Sequence, residues 1–160
     1  TTLDNATYVW NLQHHRGRFF VVGEGAETVC STTESGGDWC SSQVGLWSSP
    51  DGTTWARVFT SAAESVNSYE IGSGNLGLVA VGMESWGQEQ IPRPVYLSAD
   101  GGEWERAGTL NLFHPDAQWW WVQRPAVGDD TVLLPGSAYD QSSSSDSEKP
   151  FLIVGRLIDG

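Results

Sequence analysis

Apolar residues in this chain come in short runs that exit at glycine, and the runs return. They are Phe19-Phe20-Val21-Val22-Gly23, Leu78-Val79-Ala80-Val81-Gly82 and Val132-Leu133-Leu134-Pro135-Gly136. Each is entered through a polar turn: His15-Arg16-Gly17, Ser73-Gly74-Asn75 and Gly128-Asp129-Asp130. Before each turn stands another candidate strand, Tyr8–Gln13, Ser68–Gly72 and Trp119–Gln123. β-Branched and aromatic runs of this length, bounded by turn residues, predict strands. No segment has a helical period, and Gly and Ser punctuate the chain throughout.

Two further stretches read almost alike: Ser49-Pro50-Asp51-Gly52-Thr53-Thr54-Trp55 and Ser98-Ala99-Asp100-Gly101-Gly102-Glu103-Trp104. Each follows a short apolar run and leads into an alternating one, which is the signature of strand, tight Asp-Gly turn, strand. Their spacing of about fifty residues marks a repeat. One unit is then four strands, A-B-C-D, joined as a meander. This predicts an all-β chain, a β-propeller built from about three four-stranded antiparallel blades, which is a half or partial propeller. A single domain spans 1–160, with blades at about 7–60, 66–108 and 118–160; the outer strand of the last is unmarked. A pair of packed sheets is the rival, but it leaves the recurring turn chemistry unexplained.

The two Ser-x-Asp-Gly-x-x-Trp hairpins resemble the Asp-box (BNR) repeats of sialidase-like propellers. The resemblance implies that Asp51 and Asp100 cap their turns by accepting backbone N–H groups. Trp55 and Trp104 would pack beneath, and Ser49 and Ser98 would match the leading hydroxyl, with Gly52 and Gly101 in the turn. Both copies are one residue shorter than the usual box, and the third unit, with Phe151-Leu152-Ile153-Val154-Gly155 as its C strand, has none. Such boxes occur in enzymes and non-enzymes alike and carry no catalytic implication.

Propellers close with four to eight blades, so three leave two open edges. Three remedies are open: a homodimer or larger assembly that closes the propeller, a longer parent chain, or an edge strand supplied by Thr1–Thr7. The first residue is Thr rather than Met, which predicts processing.

Composition narrows the partners. Eight basic residues against 20 acidic ones give a formal charge of −12. Lys149 is the sole lysine, and no basic patch offers the clustered cations that phosphate neutralisation needs, which argues against nucleic acid. No apolar run approaches the length of a membrane-spanning helix. Cys30 and Cys40 fall in one long connection of the first unit. A disulfide there would stabilise by roughly 2–3 kcal/mol and implies an oxidising compartment. Two free thiols and a metal site are the alternatives, the latter without other spaced ligands. A secreted or periplasmic protein that has lost its signal peptide fits these features.

Alternating strand directions place the B–C and D–A connections at one end of the blades. The B–C connections are long and dissimilar: Glu24–Gln43, Met83–Arg93 and Ser137–Lys149. Long irregular connections commonly bind something. Trp39, Trp86, Trp119 and Tyr139 are therefore the candidate ligand-binding residues, since exposed aromatics suit sugar faces and protein anchors. Each has a plainer explanation as well. Trp39 would pack on a disulfide, and most of Trp119-Trp120-Trp121 would pack between sheets.

Catalysis has little to build on. The seven arginines occupy no equivalent inner-strand positions in all three units, and Tyr69-Glu70 point to opposite faces of one strand. No nucleophile elbow or phosphate-binding loop occurs, and three scattered histidines suggest no metal. No catalytic residue, metal or cofactor is expected. Three functions stay open: a recognition module for glycan or protein, an assembly subunit of a larger complex, and a piece of a sialidase-like glycosidase.

Overall fold

The computed structural model describes residues 3, 5–32, 38–60, 66, 68–83, 93–110, 119–140 and 147–156. They form an all-β structure of two sheets, with no helix among the described residues. The first sheet is an antiparallel meander of β1 (Ala6–His15), β2 (Arg18–Thr32), β3 (Asp38–Ser49) and β4 (Ala56–Thr60). A second meander comprises β5 (Ser68–Gly74), β6 (Gly77–Met83), β7 (Arg93–Ser98) and β8 (Glu105–Leu110). The third contains β9 (Trp119–Val122), β10 (Ala126–Val127), β11 (Thr131–Asp140) and β12 (Ser147–Arg156). Here β9 and β10 are two pieces of one interrupted first strand, because both pair antiparallel with β11. Pro125 stands at the break, where a residue without an N–H cannot continue a ladder.

The turns follow local chemistry. His15 pairs with Arg18 across Arg16-Gly17, which carry φ of 46° and 76°. Two successive positive φ angles give the mirror-image turn that matches strand twist. Ser73 and Gly74, expected in the second turn, instead stay in the β5 ladder, paired with Leu78 and Gly77, and the turn is made by Asn75-Leu76. Gly128 N donates to Thr131 O at 2.7 Å to close the third turn.

Packing stacks the meanders in chain order. Phe20, Val22, Val44 and Leu46 of the first share a core with Tyr69, Ile71, Leu78 and Ala80 of the second. Phe59 of β4 lies at the centre of an aromatic group, 4.7 Å from Tyr96, 5.7 Å from Tyr69 and 5.8 Å from Trp104. The opposite face of the second meander, Val79 and Val81 with Val95 and Leu97, packs on Val122, Leu134, Val132 and Ile153 of the third. Successive strand residues point to opposite faces, so a run apolar at every position serves a sheet covered on both sides. The middle meander has that environment.

The first strands of the three meanders lie side by side and run parallel. Trp10 Nε1 donates to Ser68 Oγ at 3.0 Å, Asn11 Nδ2 to Glu70 Oε2 at 2.9 Å, and Ser73 Oγ to Gln13 Oε1 at 3.3 Å. A parallel bridge joins Val127 to Gly74, and Asn75 Nδ2 donates to Asp129 Oδ1 at 2.6 Å. Near the N-terminus, Leu3 forms a parallel bridge with Trp55.

Candidate functional site

Parallel first strands send every B–C hairpin out at one end of the stack and every A–B and C–D turn at the other. The connection that holds the two cysteines is more regular than its composition suggests. Past an irregularity between Glu24 and Thr28, β2 and β3 continue to pair from Thr28↔Ser42 to Thr32↔Asp38. This two-stranded arm outruns the rest of its sheet. Cys30 and Cys40 are direct cross-strand partners in it and form a disulfide. The sequence predicts an irregular loop here because Gly, Ser and Asp, which are poor strand formers, punctuate the stretch; the ladder and the crosslink supply the order.

The root of the arm is held by charge and backbone contacts. Arg57 reaches from β4 to Glu27, with Nη1 to Oε2 at 2.8 Å, and its guanidinium stands 5.1 Å from the ring centre of Trp47. Ala26 N donates to Asn5 O at 2.7 Å. The partly exposed ion pair contributes little by itself, but it points the start of the arm.

Two of the candidate aromatics are neighbours in register. Trp119 of β9 pairs with Tyr139 of β11, and Tyr139 pairs in turn with Glu148 of β12, all at the hairpin end. Trp39 pairs with Ser31, one step from the disulfide. Trp86 lies outside the described residues, as do 61–65, 84–92, 111–118 and 141–146. Among the described residues no cluster of His, Cys, Asp and Glu is arranged to hold a metal ion.

At the opposite end the two Asp-Gly turns have nearly the same internal wiring. Asp51 Oδ1 accepts from Thr53 N at 2.8 Å and Thr54 N at 2.9 Å, while Ser49 Oγ accepts from Gly52 N at 2.8 Å. Trp55 Nε1 closes the turn on Gly52 O at 3.2 Å. The backbone N–H donors hold the Asp51 carboxyl well below the usual carboxylate range. In the second copy Ser98 Oγ accepts from Gly101 N at 2.8 Å, Asp100 Oδ1 from Gly102 N at 2.9 Å, and Trp104 Nε1 donates to Gly101 O at 3.3 Å. The surroundings differ, however. Trp104 packs into the core between the first and second meanders, whereas Trp55 belongs to neither core cluster.

The same end holds a feature that the sequence did not suggest. His14, His15 and Arg16 line an open cleft of about 490 Å³ together with Ser73, Gly74 and Asn75. His15 is buried, with Nε2 3.1 Å from Ala99 O. Nearly sixty residues separate the two sides of this cleft. Only the parallel docking of β1 on β5 joins them, and no sequence signal marks it.

Between the ends, Glu70 interacts with groups from the first and third meanders. It accepts from Asn11 of β1 and feels Arg124 from the break between β9 and β10. Burial raises its pKa above the ordinary value, and the Arg124 charge opposes this only in part. A carboxyl with a raised folded-state pKa favours folding fully below the unfolded value of about 4.3, and that contribution is lost as pH rises through the folded pKa. Glu70→Gln keeps an acceptor for Asn11 and removes the titration. Thermal midpoints of the variant and wild type should therefore diverge in favour of Gln as pH is raised from about 4 to 7. A constant difference over that range would contradict the assignment.

No protein-family model matches this chain, and no curated protein or solved structure matches it either.

Proposed function

We propose that the chain is a secreted, non-catalytic recognition module, a partial β-propeller of three four-stranded blades that binds glycan or protein at its hairpin end. The observation that carries this reading is the disulfide-braced arm, which projects a paired hairpin beyond its sheet at the end where Trp119 and Tyr139 also lie. A pre-ordered arm loses little conformational entropy on binding, which suits recognition. The disulfide fits an oxidising compartment.

Three features support the propeller form. The meanders stack in chain order, their first strands run parallel along one line, and both Asp-Gly turns are closed by side-chain to backbone bonds of the kind the Asp-box resemblance implies. The arginines favour the non-catalytic reading, because their contacts are dispersed. Arg18 donates to Ser48, Arg57 to Glu27 and Arg106 to Thr109, and Arg124 acts on Glu70.

The test is a screen of the labelled, oxidised chain on a glycan array and on an array of extracellular proteins. Binding should be lost in Trp39→Ala or Trp86→Ala, and weakened in the Cys30→Ser/Cys40→Ser variant by about tenfold through loss of arm order. His14→Ala, at the other end, should bind normally. Absence of any hit on both arrays, or hits indifferent to Trp39 and Trp86, would reject the reading.

A further inference from the structure

Six large hydrophobic side chains stand out as exposed among the described residues, and all lie on the two terminal meanders. Tyr8, Val9 and Leu12 are 64%, 41% and 56% exposed on β1. Trp121, Leu152 and Val154 are 38%, 58% and 55% exposed on β9 and β12. The middle meander contributes none.

Register shows what these positions are for. In the second meander Val79 pairs with Leu97 and Val81 with Val95, and this face carries the third meander. In the third, Leu133 pairs with Val154 and Pro135 with Leu152. Aligned on their exit glycines, Gly82 and Gly136, the two faces are equivalent. The third meander thus repeats, in the same register, the surface by which the second holds its successor. At the other end, Val9 and Leu12 pair with Gly23 and Val21, on the face of the first meander turned away from the second. That is the face by which a meander would receive a predecessor.

We infer that the free face of the third meander docks on the free face of the first meander of a second copy of this chain, head to tail. The occupant is assigned to a second copy because each chain carries both halves of the junction, and because the interface continues one already made twice inside the chain. On the first meander Val21 and Trp47 are already buried, with Arg57 over the Trp47 ring, so the junction there is made through the exposed Val9 and Leu12. A two-fold axis along the first strands then makes two identical junctions and closes a ring of six meanders, covering the exposed apolar side chains at both ends. The inference stands independently of what the hairpin end binds.

Light scattering on the full chain tests it. The expected mass is twice that of one chain. The pair Leu152→Glu/Val154→Glu should weaken the dimer by about thirtyfold or more, as expected for charges placed in the centre of an apolar junction, and Leu12→Glu should do the same. Mixing the two variants should restore a dimer, since the third meander of one and the first of the other remain intact. Thr replacements at 152 and 154, which suit strands, take over should the Glu forms fail to fold. A single-chain mass for wild type at its solubility limit would overturn the proposal, whatever the variants do. So would a dimer broken at Leu152 and Val154 but indifferent to Leu12, which would mean third meander against third meander.

Discussion

Gly74→Val should loosen the third meander from the second and cost about 3 kcal/mol or more, the upper end of the overpacking range. The reason is a backbone approach with no slack. A Cβ at Gly74 would fall on the carbonyl oxygen of Val127, and one at Gly72 on that of Pro125. Neither neighbour is a side chain that can turn aside. Both atoms belong to the interrupted first strand of the third meander, and the Val127–Gly74 bridge is where the eight-stranded sheet joins its two halves. The expected readings are a lower urea midpoint and faster hydrogen exchange in β11, with exchange in β2 and β3 much less affected. Gly155→Ala is the control, because its nearest neighbour, Val132 O, is at an ordinary 3.7 Å. It should change stability by less than about 0.5 kcal/mol. An unchanged midpoint for Gly74→Val would mean that β5 and β10 do not meet.

The second large effect belongs to Phe20. Its side chain is fully buried in the core shared by the first and second meanders. Its ring also lies where a Cβ on Gly101 would go, so the second Asp-Gly turn is seated on the first meander through this contact. Phe20→Ala should cost about 3–5 kcal/mol, from lost burial and from a cavity that two rigid sheets cannot collapse. Gly101→Ala should be harmful for two reasons: φ is +86° there, and the new methyl meets the Phe20 ring. Phe20→Ala removes the second cause and leaves the first. The double variant should therefore be less destabilised than the sum of the singles, read from denaturant midpoints as a coupling of about 1 kcal/mol or more. Strict additivity would show that the contact is not made.

These two positions also mark how far the sequence could be read. Asp51-Gly52 and Asp100-Gly101 announce hairpins because the turn residues sit next to one another, and such local chemistry needs no tertiary partner. The four-strand meander and the split between polar turns and apolar runs were legible for the same reason. The pairing of Cys30 with Cys40 was open in the sequence and became definite once β2 and β3 were seen to continue in register beyond their sheet. Of the candidate aromatics, Trp119 and Tyr139 meet as strand partners, a relation that spacing alone did not suggest. The cleft of His14, His15, Arg16 and Ser73–Asn75 was not legible at all.

By itself, then, the sequence determined the strands, most of the turns, the repeat and an acidic charge balance, since each depends on neighbouring residues or on bulk composition. Tertiary structure decided which face of each meander is covered. Phe19-Phe20-Val21-Val22, Leu78-Val79-Ala80-Val81 and Val132-Leu133-Leu134 are apolar at consecutive positions, so no alternation distinguishes a sheet buried on both sides from one buried on a single side. That distinction arises from contacts between segments about fifty residues apart. It also separates Trp104, seated in a core, from Trp55, and Val79, covered by a neighbour, from Val154, which is left exposed.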